Sequence, residues 1–214
     1  GPILEATPPY ATGASVGELI DEGVLPRWFN KLDHPDGLPV GRPLYQHQED
    51  AVRKAATGRN LVVATGTGSG KTESFLLPIL SSLAKEQEAG TLDQPGVRAL
   101  LLYPMNALAN DQLKRLRDLL RPTPEITFGR YTGETLAEPG KARDRFARQH
   151  PGVEPPPNEI LSRKEMQERP PHLLLTNYAM LEYLLLRPRD TTLFDGPTGE
   201  HWRFIVMDEA HVYD

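Results

Sequence analysis

The chain has 214 residues, of which 38% are hydrophobic and 25% are charged, and its formal net charge is -5. That composition is typical of a globular protein, and the length is enough for one large domain with its own hydrophobic core. The acidic balance argues against a protein that holds nucleic acid by bulk positive charge, so any such contact is expected to be local.

Cysteine is absent, and no apolar run is long enough to cross a bilayer. Disulfide bonds and thiolate metal sites are therefore excluded, and the composition fits the reducing conditions of the cytoplasm. We expect a cytoplasmic protein with no membrane partner.

The first part of the chain, residues 1–41, is rich in proline and glycine and is predicted to be an N-terminal extension. Its helical signal covers residues 15–22, where Ser15 and Glu18 have the spacing of a capping box. From residue 42 to residue 214 the pattern changes to that of one folded domain.

Within this domain, short apolar segments of strand type alternate with segments of helix type. The predicted strands are residues 61–64, 99–103, 126–131, 173–176 and 204–207. The predicted helices are residues 46–57, 72–88 and 106–120, with helical pieces at 143–148 and 159–168 on either side of a proline-rich loop at 149–158. This alternation predicts an α/β fold with a mainly parallel central sheet and helices on both faces.

A glycine-rich motif, Thr-Gly-Thr-Gly-Ser-Gly-Lys-Thr, occupies residues 65–72 between a predicted strand and a predicted helix. Its glycines permit close backbone approach, and their N–H groups form an anion site with the helix N-terminus. Lys71 can reach the β- and γ-phosphates of ATP, and the Thr72 hydroxyl can ligate Mg²⁺. The predicted cofactor contacts are Thr67, Gly68, Ser69, Gly70, Lys71 and Thr72.

An acidic motif, Asp-Glu-Ala-His, occupies residues 208–211 and follows the predicted strand 204–207. Carboxylates at the C-terminal end of such a strand face the ligand crevice of an open α/β sheet. Asp208 is expected to hold Mg²⁺ through water, and Glu209 to orient and deprotonate the attacking water. His211 is expected to transmit the state of the nucleotide to neighbouring motifs.

With both motifs in place, the sequence from residue 42 to its end resembles the first motor domain of superfamily 2 DEAD/DEAH-box helicases. The resemblance implies a three-layer RecA-like P-loop domain, in which Lys71, Asp208 and Glu209 converge on one Mg–triphosphate pocket. The strict phosphate-loop pattern has glycine where Thr65 stands, a departure that helicase loops tolerate.

Other segments of the sequence resemble further helicase motifs. Residues 44–48 resemble the Q motif, which implies that Gln48 reads the adenine edge and that Tyr45 packs nearby. Residues 103–112, 131–133 and 176–181 resemble motifs Ia, Ib and Ic, which implies contacts to a nucleic-acid strand. The residues assigned to that strand are Pro104, Asn106, Thr132, Gly133, Thr176 and Asn177.

The residues beside the acidic motif resemble a bacterial subgroup related to RecQ-like Hrq helicases, which carries a further C-terminal domain of unknown function. The subgroup implies a helicase or translocase that acts on DNA in preference to RNA, in DNA repair or phage defence, beside subunits of such a complex. Three alternatives stay open: a double-stranded DNA translocase subunit of a restriction or defence complex, an RNA helicase, and a nucleotide-sensing module without motor activity.

The sequence stops three residues after His211, before the second RecA-like domain and arginine finger that complete the core in the family. An arginine finger contributes on the order of 10³–10⁵ to turnover in related nucleotide hydrolases. We therefore expect the isolated chain to bind ATP weakly, to hydrolyse it negligibly and not to unwind duplexes.

Overall fold

The computed structural model describes residues 10–66, 68–186, 193–194 and 196–213. The chain divides into two compact units, Gly1–Lys85 and Glu86–Asp214. In the described part of the chain, no helix combines the length and the apolar character that crossing a membrane requires. The division predicted at residues 41 and 42 stays a prediction.

The first unit contains a small antiparallel sheet, in which β1 (Thr12–Ser15) pairs with β2 (Pro43–Tyr45). Its helical elements are α1 (Val16–Asp21), a 3-10 helix (Arg27–Leu32), α2 (Gln46–Ala56) and the start of α3 (Lys71–Glu88). The predicted capping box of α1 is confirmed, since Ser15 Oγ accepts from Glu18 N at 3.2 Å and the Glu18 carboxylate accepts from Ser15 N at 2.7 Å.

Helix α2 ends as the sequence predicts, because Gly58 follows it with φ 75°, a left-handed conformation that terminates helices. A carboxylate on this helix ties it to β1: Glu49 accepts a hydrogen bond from Ala14 N at 2.7 Å. Arg53 pairs with the same carboxylate one helical turn later. These contacts bring the N-terminal end of α2, where the Q-motif residues lie, against β1.

The strand predicted at residues 61–64 is wrong. In the structure these residues do not form part of a strand, and the side chain of Val62 is 97% exposed. A strand exists only where a neighbouring strand accepts and donates its backbone hydrogen bonds, and no pairing partner for this segment occurs in the described residues. Apolar composition alone therefore did not make a strand here.

The second unit contains a five-stranded parallel sheet in the order β5-β4-β6-β3-β7. Its strands are β3 (Ala99–Tyr103), β4 (Phe128–Arg130), β5 (Glu159–Ile160), β6 (Leu173–Asn177) and β7 (Phe204–Met207). Its helices are the end of α3, α4 (Asn106–Leu119), α5 (Pro139–Gln149), α6 (Arg163–Glu168) and α7 (Tyr178–Leu186), with 3-10 helices at Gly196–His201 and Ala210–Val212.

Four of the predicted strands are present in this sheet, and two of them keep their predicted bounds, β3 and β7. β4 is shorter than residues 126–131, and β6 extends one residue beyond 173–176. All five residues of β3 are buried, as expected for a strand that has neighbours on both sides and helices against its faces. Because the strands are parallel, their carboxyl ends lie along one edge of the sheet.

The segment between β4 and β6 differs from its predicted form. Residues 159–168 were expected to be helical, and that prediction is wrong for β5, which pairs with β4. Helix α6 begins only after Ser162, whose hydroxyl accepts from Glu165 N at 3.2 Å and caps the helix. Helix α5 begins four residues before the predicted 143–148, at Pro139, because proline suits the first turn of a helix.

Candidate nucleotide and nucleic-acid sites

The phosphate loop lies in the first unit and leads directly into α3, whose first two residues are Lys71 and Thr72. Gly68 and Gly70 adopt φ values of 75° and 71°, which L side chains rarely tolerate, so glycine is required at both positions. The loop is closed internally, since the hydroxyls of Thr65 and Ser69 lie 2.6 Å apart. The predicted contact Thr67 lies outside the described residues.

The N-terminal end of helix α3 adds positive charge to the phosphate loop. The first N–H groups of a helix have no partner within it and carry partial positive charge, so they favour an anion. Lys71, at the first helical position, adds a full positive charge in the same place, and Thr72 adds a hydroxyl. The arrangement suits a phosphate group, as the sequence predicts.

Gln48 is buried at the base of this loop, and its side-chain amide is fully engaged. Its oxygen accepts from Tyr45 N at 2.8 Å, and its nitrogen donates to the carbonyl oxygen of Gly70 at 2.7 Å. The same nitrogen lies 3.4 Å from a carboxylate oxygen of Glu73. In this structure Gln48 therefore holds the phosphate loop against α2, while its role in reading adenine stays a prediction.

An aromatic cluster lies beside the loop. Tyr45 stacks on His47 with ring centroids 5.7 Å apart, and Tyr10 packs against both rings at 5.3 and 5.8 Å. The hydroxyl of Tyr10 also comes within 2.8 Å of where a side chain at Gly66 would begin. Tyr45 was predicted from its motif, and His47 belongs to the same motif but was given no role. Tyr10 was not predicted, because only the fold of the first unit brings it to the loop.

The acidic motif follows β7 in the second unit, at the carboxyl edge of the sheet. Asp208 N donates to the carbonyl oxygen of Leu102 at 3.0 Å, which continues the pairing with β3 by one residue. Glu209 has φ 50° and ψ 48°, an uncommon left-handed conformation for a residue other than glycine. Its N–H donates to Asp208 Oδ1 at 3.0 Å, so the turn orients the Asp208 carboxylate.

His211 is 76% exposed, and its Nδ1 lies 3.4 Å from Glu209 Oε2. Within the acidic motif, the structure therefore brings the side chains of Glu209 and His211 together and ties the Asp208 carboxylate to the backbone of Glu209. Their convergence with Lys71, which belongs to the first unit, stays a prediction.

Two tyrosines to which the sequence analysis gave no role in the site lie close enough to Asp208 to feel its charge. The hydroxyls of Tyr103 and Tyr213 are buried and have no hydrogen-bond partner among the described residues. Burial, followed by the Asp208 carboxylate, raises the pKa of both phenols, so both stay protonated. The sequence placed Tyr103 at the end of a predicted strand, but only the structure shows that this strand, β3, lies directly beside β7, which carries the acidic motif.

The three segments predicted to contact nucleic acid come together at the carboxyl edge of the same sheet. Asn177 lies at the end of β6, and Asn106 lies at the start of α4. The amide nitrogen of Asn177 donates to Asn106 Oδ1 at 2.7 Å. Pro104 lies between the end of β3 and that helix. Thr132 and Gly133 follow β4, the strand on the other side of β6.

The threonines in these segments serve the fold. Thr176 Oγ1 donates to the carbonyl oxygen of Tyr131 at 2.6 Å, which ties the end of β6 to the end of β4. Thr132 is fully buried, and its hydroxyl has no partner among the described residues. The carbonyl oxygens of Thr132 and Gly133 both accept from Arg163 of α6, at 3.0 and 3.1 Å. A contact of these two loop residues with nucleic acid stays a prediction.

Arg130 and Glu134, on either side of this loop, were missed by the motif comparison. Arg130 donates to Glu134 at 3.2 Å and also to Asn110 on α4. The pKa of Arg130 is lowered, chiefly by burial, while Glu134 opposes the lowering and the nearby Arg145 and Arg117 add to it. The surroundings of Arg130 are therefore rich in positive charge even though the chain as a whole is acidic.

The sequence model of the DEAD/DEAH box helicase family matches residues 45–214 of the chain. Among curated proteins, the Druantia protein DruE of Escherichia coli (strain UMEA 4076-1) is 35% identical over an alignment of 303 residues, which covers 99% of this chain and 16% of that protein. The uncharacterized ATP-dependent helicase YprA of Bacillus subtilis (strain 168) is 29% identical over 174 residues, or 79% of this chain and 18% of that protein. The chain thus spans less than a fifth of the length of these relatives.

The ATP-dependent helicase hrq1 of Schizosaccharomyces pombe is 28% identical over 79% of this chain and 13% of its own length. Among solved structures, the DUF1998 helicase MrfA bound to DNA and AMPPNP shares 27% identity with a TM-score of 0.60, over 89% of this chain and 22% of that one. These likenesses confirm the predicted α/β RecA-like fold and the predicted resemblance to Hrq-type helicases.

Proposed function

Because this chain belongs to the DEAD/DEAH box helicase family, we propose that it is the ATP-binding first motor domain of an ATP-dependent DNA helicase or translocase. The observation that carries this proposal is the phosphate loop. Two left-handed glycines, Gly68 and Gly70, lead into a helix whose first residues are Lys71 and Thr72. Such a loop has the shape, the N–H donors and the positive charge that a triphosphate requires.

In this proposal Lys71 binds the β- and γ-phosphates and the acidic motif performs the hydrolysis. Glu209 orients the attacking water and takes its proton, and the turn that fixes Glu209 also orients Asp208. The Thr72 hydroxyl and the Asp208 carboxylate are oxygen donors of the kind that Mg²⁺ prefers, so these two side chains would hold the ion. When it is bound, Mg²⁺ neutralises negative charge on the phosphates.

DNA is the proposed nucleic acid. Support comes from the carboxyl edge of the sheet, where the three segments predicted to contact nucleic acid come together, and from the likeness to MrfA, which was solved with DNA. We propose DNA repair or phage defence as the process, by the resemblance to the Hrq-related subgroup. ATP-driven movement on DNA is proposed for the parent protein, in which a second motor domain would complete the core.

Nucleotide binding by the purified chain tests the central claim. Titration with a fluorescent ATP analogue and Mg²⁺ should show weak, saturable binding, and Lys71→Ala should weaken it at least tenfold because a charge-assisted phosphate contact is lost. Lys85→Ala is the matched control, since Lys85 is an exposed lysine near the other end of α3. The proposal fails if no adenine nucleotide binds at millimolar concentration, or if Lys71→Ala binds as well as the unchanged chain.

Hydrolysis tests the assignment of Glu209. In the parent protein, Glu209→Gln should leave ATP binding intact and stop turnover, because the amide cannot accept the proton of the water. Normal turnover of that variant would show that another group is the base. In the isolated chain, robust turnover that Lys71→Ala abolishes would contradict our expectation that a second domain is required.

A further inference from the structure

One carboxylate at the carboxyl edge of the sheet accepts hydrogen bonds from two separate elements. Glu134 Oε1 accepts from Asn106 Nδ2, at the start of α4, and Glu134 Oε2 accepts from Arg130, at the end of β4, each at 3.2 Å. Glu134 follows directly after Gly133, the last residue of the segment 131–133 that is assigned to the nucleic-acid strand. An anionic group of the protein itself therefore lies against Asn106, one of the residues proposed to contact nucleic acid.

The direction of the Asn106 amide is set by a relay that starts at α7. Met180 N donates to Asn177 Oδ1 at 2.8 Å, which identifies that atom as the oxygen. The amide nitrogen of Asn177 is then free to donate to Asn106 Oδ1, so the amide nitrogen of Asn106 points to Glu134. The backbone of α7 thereby fixes which way Asn106 presents its donor.

A guanidinium and a neighbouring amide N–H can donate to the two oxygens of a carboxylate. The same two donors have the right placement for two oxygens of a phosphate. We propose that Glu134 occupies the place of a backbone phosphate in the protein without nucleic acid, and that a phosphodiester of the bound strand displaces it from Arg130 and Asn106. This inference rests on the proposed function, since it assumes that the chain binds nucleic acid.

The geometry of this ion pair suits an exchangeable contact. The Glu134 side chain is 45% exposed, and its 3.2 Å distance to Arg130 exceeds the roughly 2.7–2.9 Å of strong charge-assisted bonds. Another pair in the same unit shows the permanent form: Arg117 binds both oxygens of Glu159 at 2.6 and 2.7 Å, and the Glu159 side chain is buried. A solvent-exposed, loosely held carboxylate is the one that an incoming phosphate can replace.

Arg130 would keep its position after Glu134 leaves. Its guanidinium is also held by Asn110 of α4, and only a sixth of its side chain is exposed. Arg145 donates to the backbone carbonyl oxygen of Glu134 at 2.8 Å, so the loop stays anchored while the Glu134 carboxylate moves. Positive charge from Arg130 and Arg145 would then remain to receive the phosphate.

The test measures binding of a fluorescein-labelled 15-residue oligo-dT to the chain by anisotropy at 50 mM KCl. Glu134→Gln keeps the shape of the side chain and removes its charge, and it should tighten binding about two- to fivefold, the range that breaking an exposed ion pair allows. Arg130→Gln should weaken binding. In the Arg130→Gln background, Glu134→Gln should bring a smaller gain, because only Asn106 remains of the two donors that it liberates.

Glu138→Gln is the matched control, because it removes the same charge four residues along the chain and should leave the affinity nearly unchanged. If the unchanged chain binds oligo-dT and Glu134→Gln binds no tighter, the inference is overturned while DNA binding stands. If neither binds, the inference and the DNA part of the proposed function are both overturned, and nucleotide titration of the same samples tests the ATP part separately. Glu134→Ala repeats the measurement should Glu134→Gln fail to fold, as judged by circular dichroism.

Discussion

His172 makes the stability of the chain depend on pH. The ring is 4% exposed, its Nδ1 accepts from Thr127 N at 3.1 Å, and its Nε2 lies 2.9 Å from the carbonyl oxygen of Leu92. Because a backbone N–H can only donate, Nδ1 is the acceptor and Nε2 carries the hydrogen. The neutral ring therefore satisfies both neighbours, and a proton on Nδ1 would face the N–H of Thr127.

The pKa of His172 falls from 6.5 to about 4, chiefly through burial and then through the charge of Arg98. Between pH 4 and pH 6.5 the unfolded chain binds a proton at His172 that the folded chain does not bind. The free energy of unfolding therefore rises as pH rises through this window and falls as pH falls through it. The shift in the pKa of His172 corresponds to about 3 kcal/mol of unfolding free energy, which is fully lost only below pH 4. At pH 5 the chain has already lost about 2 kcal/mol relative to pH 8. That loss is large beside a typical domain stability of about 5–15 kcal/mol.

Urea denaturation followed by circular dichroism between pH 8 and pH 5 measures this effect. His172→Gln should be less stable than the unchanged chain at pH 8. Its free energy of unfolding should then fall much less between pH 7 and pH 5 than that of the unchanged chain. His201→Gln is the control, since the pKa of His201 is also lowered by burial but its side chain is half-buried only; this variant should keep most of the decline. An equal decline in His172→Gln and in the unchanged chain would refute the reasoning.

Three other substitutions test contacts that hold the second unit together, each by urea denaturation at pH 8. Asn158→Ala should cost about 1–3 kcal/mol, because the buried amide of Asn158 lies 3.0–3.3 Å from three carbonyl oxygens of the turn after α4; an unchanged midpoint would contradict this. Gly129→Ala should cost a similar amount, about 1–3 kcal/mol, because its Cβ would lie 2.9 Å from the carbonyl oxygen of Ile160; full stability would show that β5 can move away. Arg98→Lys should lower the free energy of unfolding by about 2 kcal/mol. The reason is that one ammonium cannot replace a buried guanidinium that binds Glu86 and three loop carbonyl oxygens. An unchanged midpoint would show that lysine reaches the same partners.

The sequence determined those features that depend on local pattern. The bounds of β3 and β7 follow from short apolar runs, and the end of α2 follows from Gly58, whose left-handed conformation L side chains resist. The phosphate loop is equally local, because glycine spacing and the following helix are contiguous in the chain. The acidic motif follows from its place after β7.

Tertiary structure decided which groups found partners. Residues 61–64 have the composition of a strand and are unpaired within the described chain, whereas Glu159 and Ile160, with no apolar run, form a strand because β4 lies beside them. Glu134 could not be singled out either, since its two donors come from Asn106 and Arg130 on different elements. Hydrogen bonds and ion pairs between distant residues depend on how the elements pack, and a linear pattern carries no record of that packing.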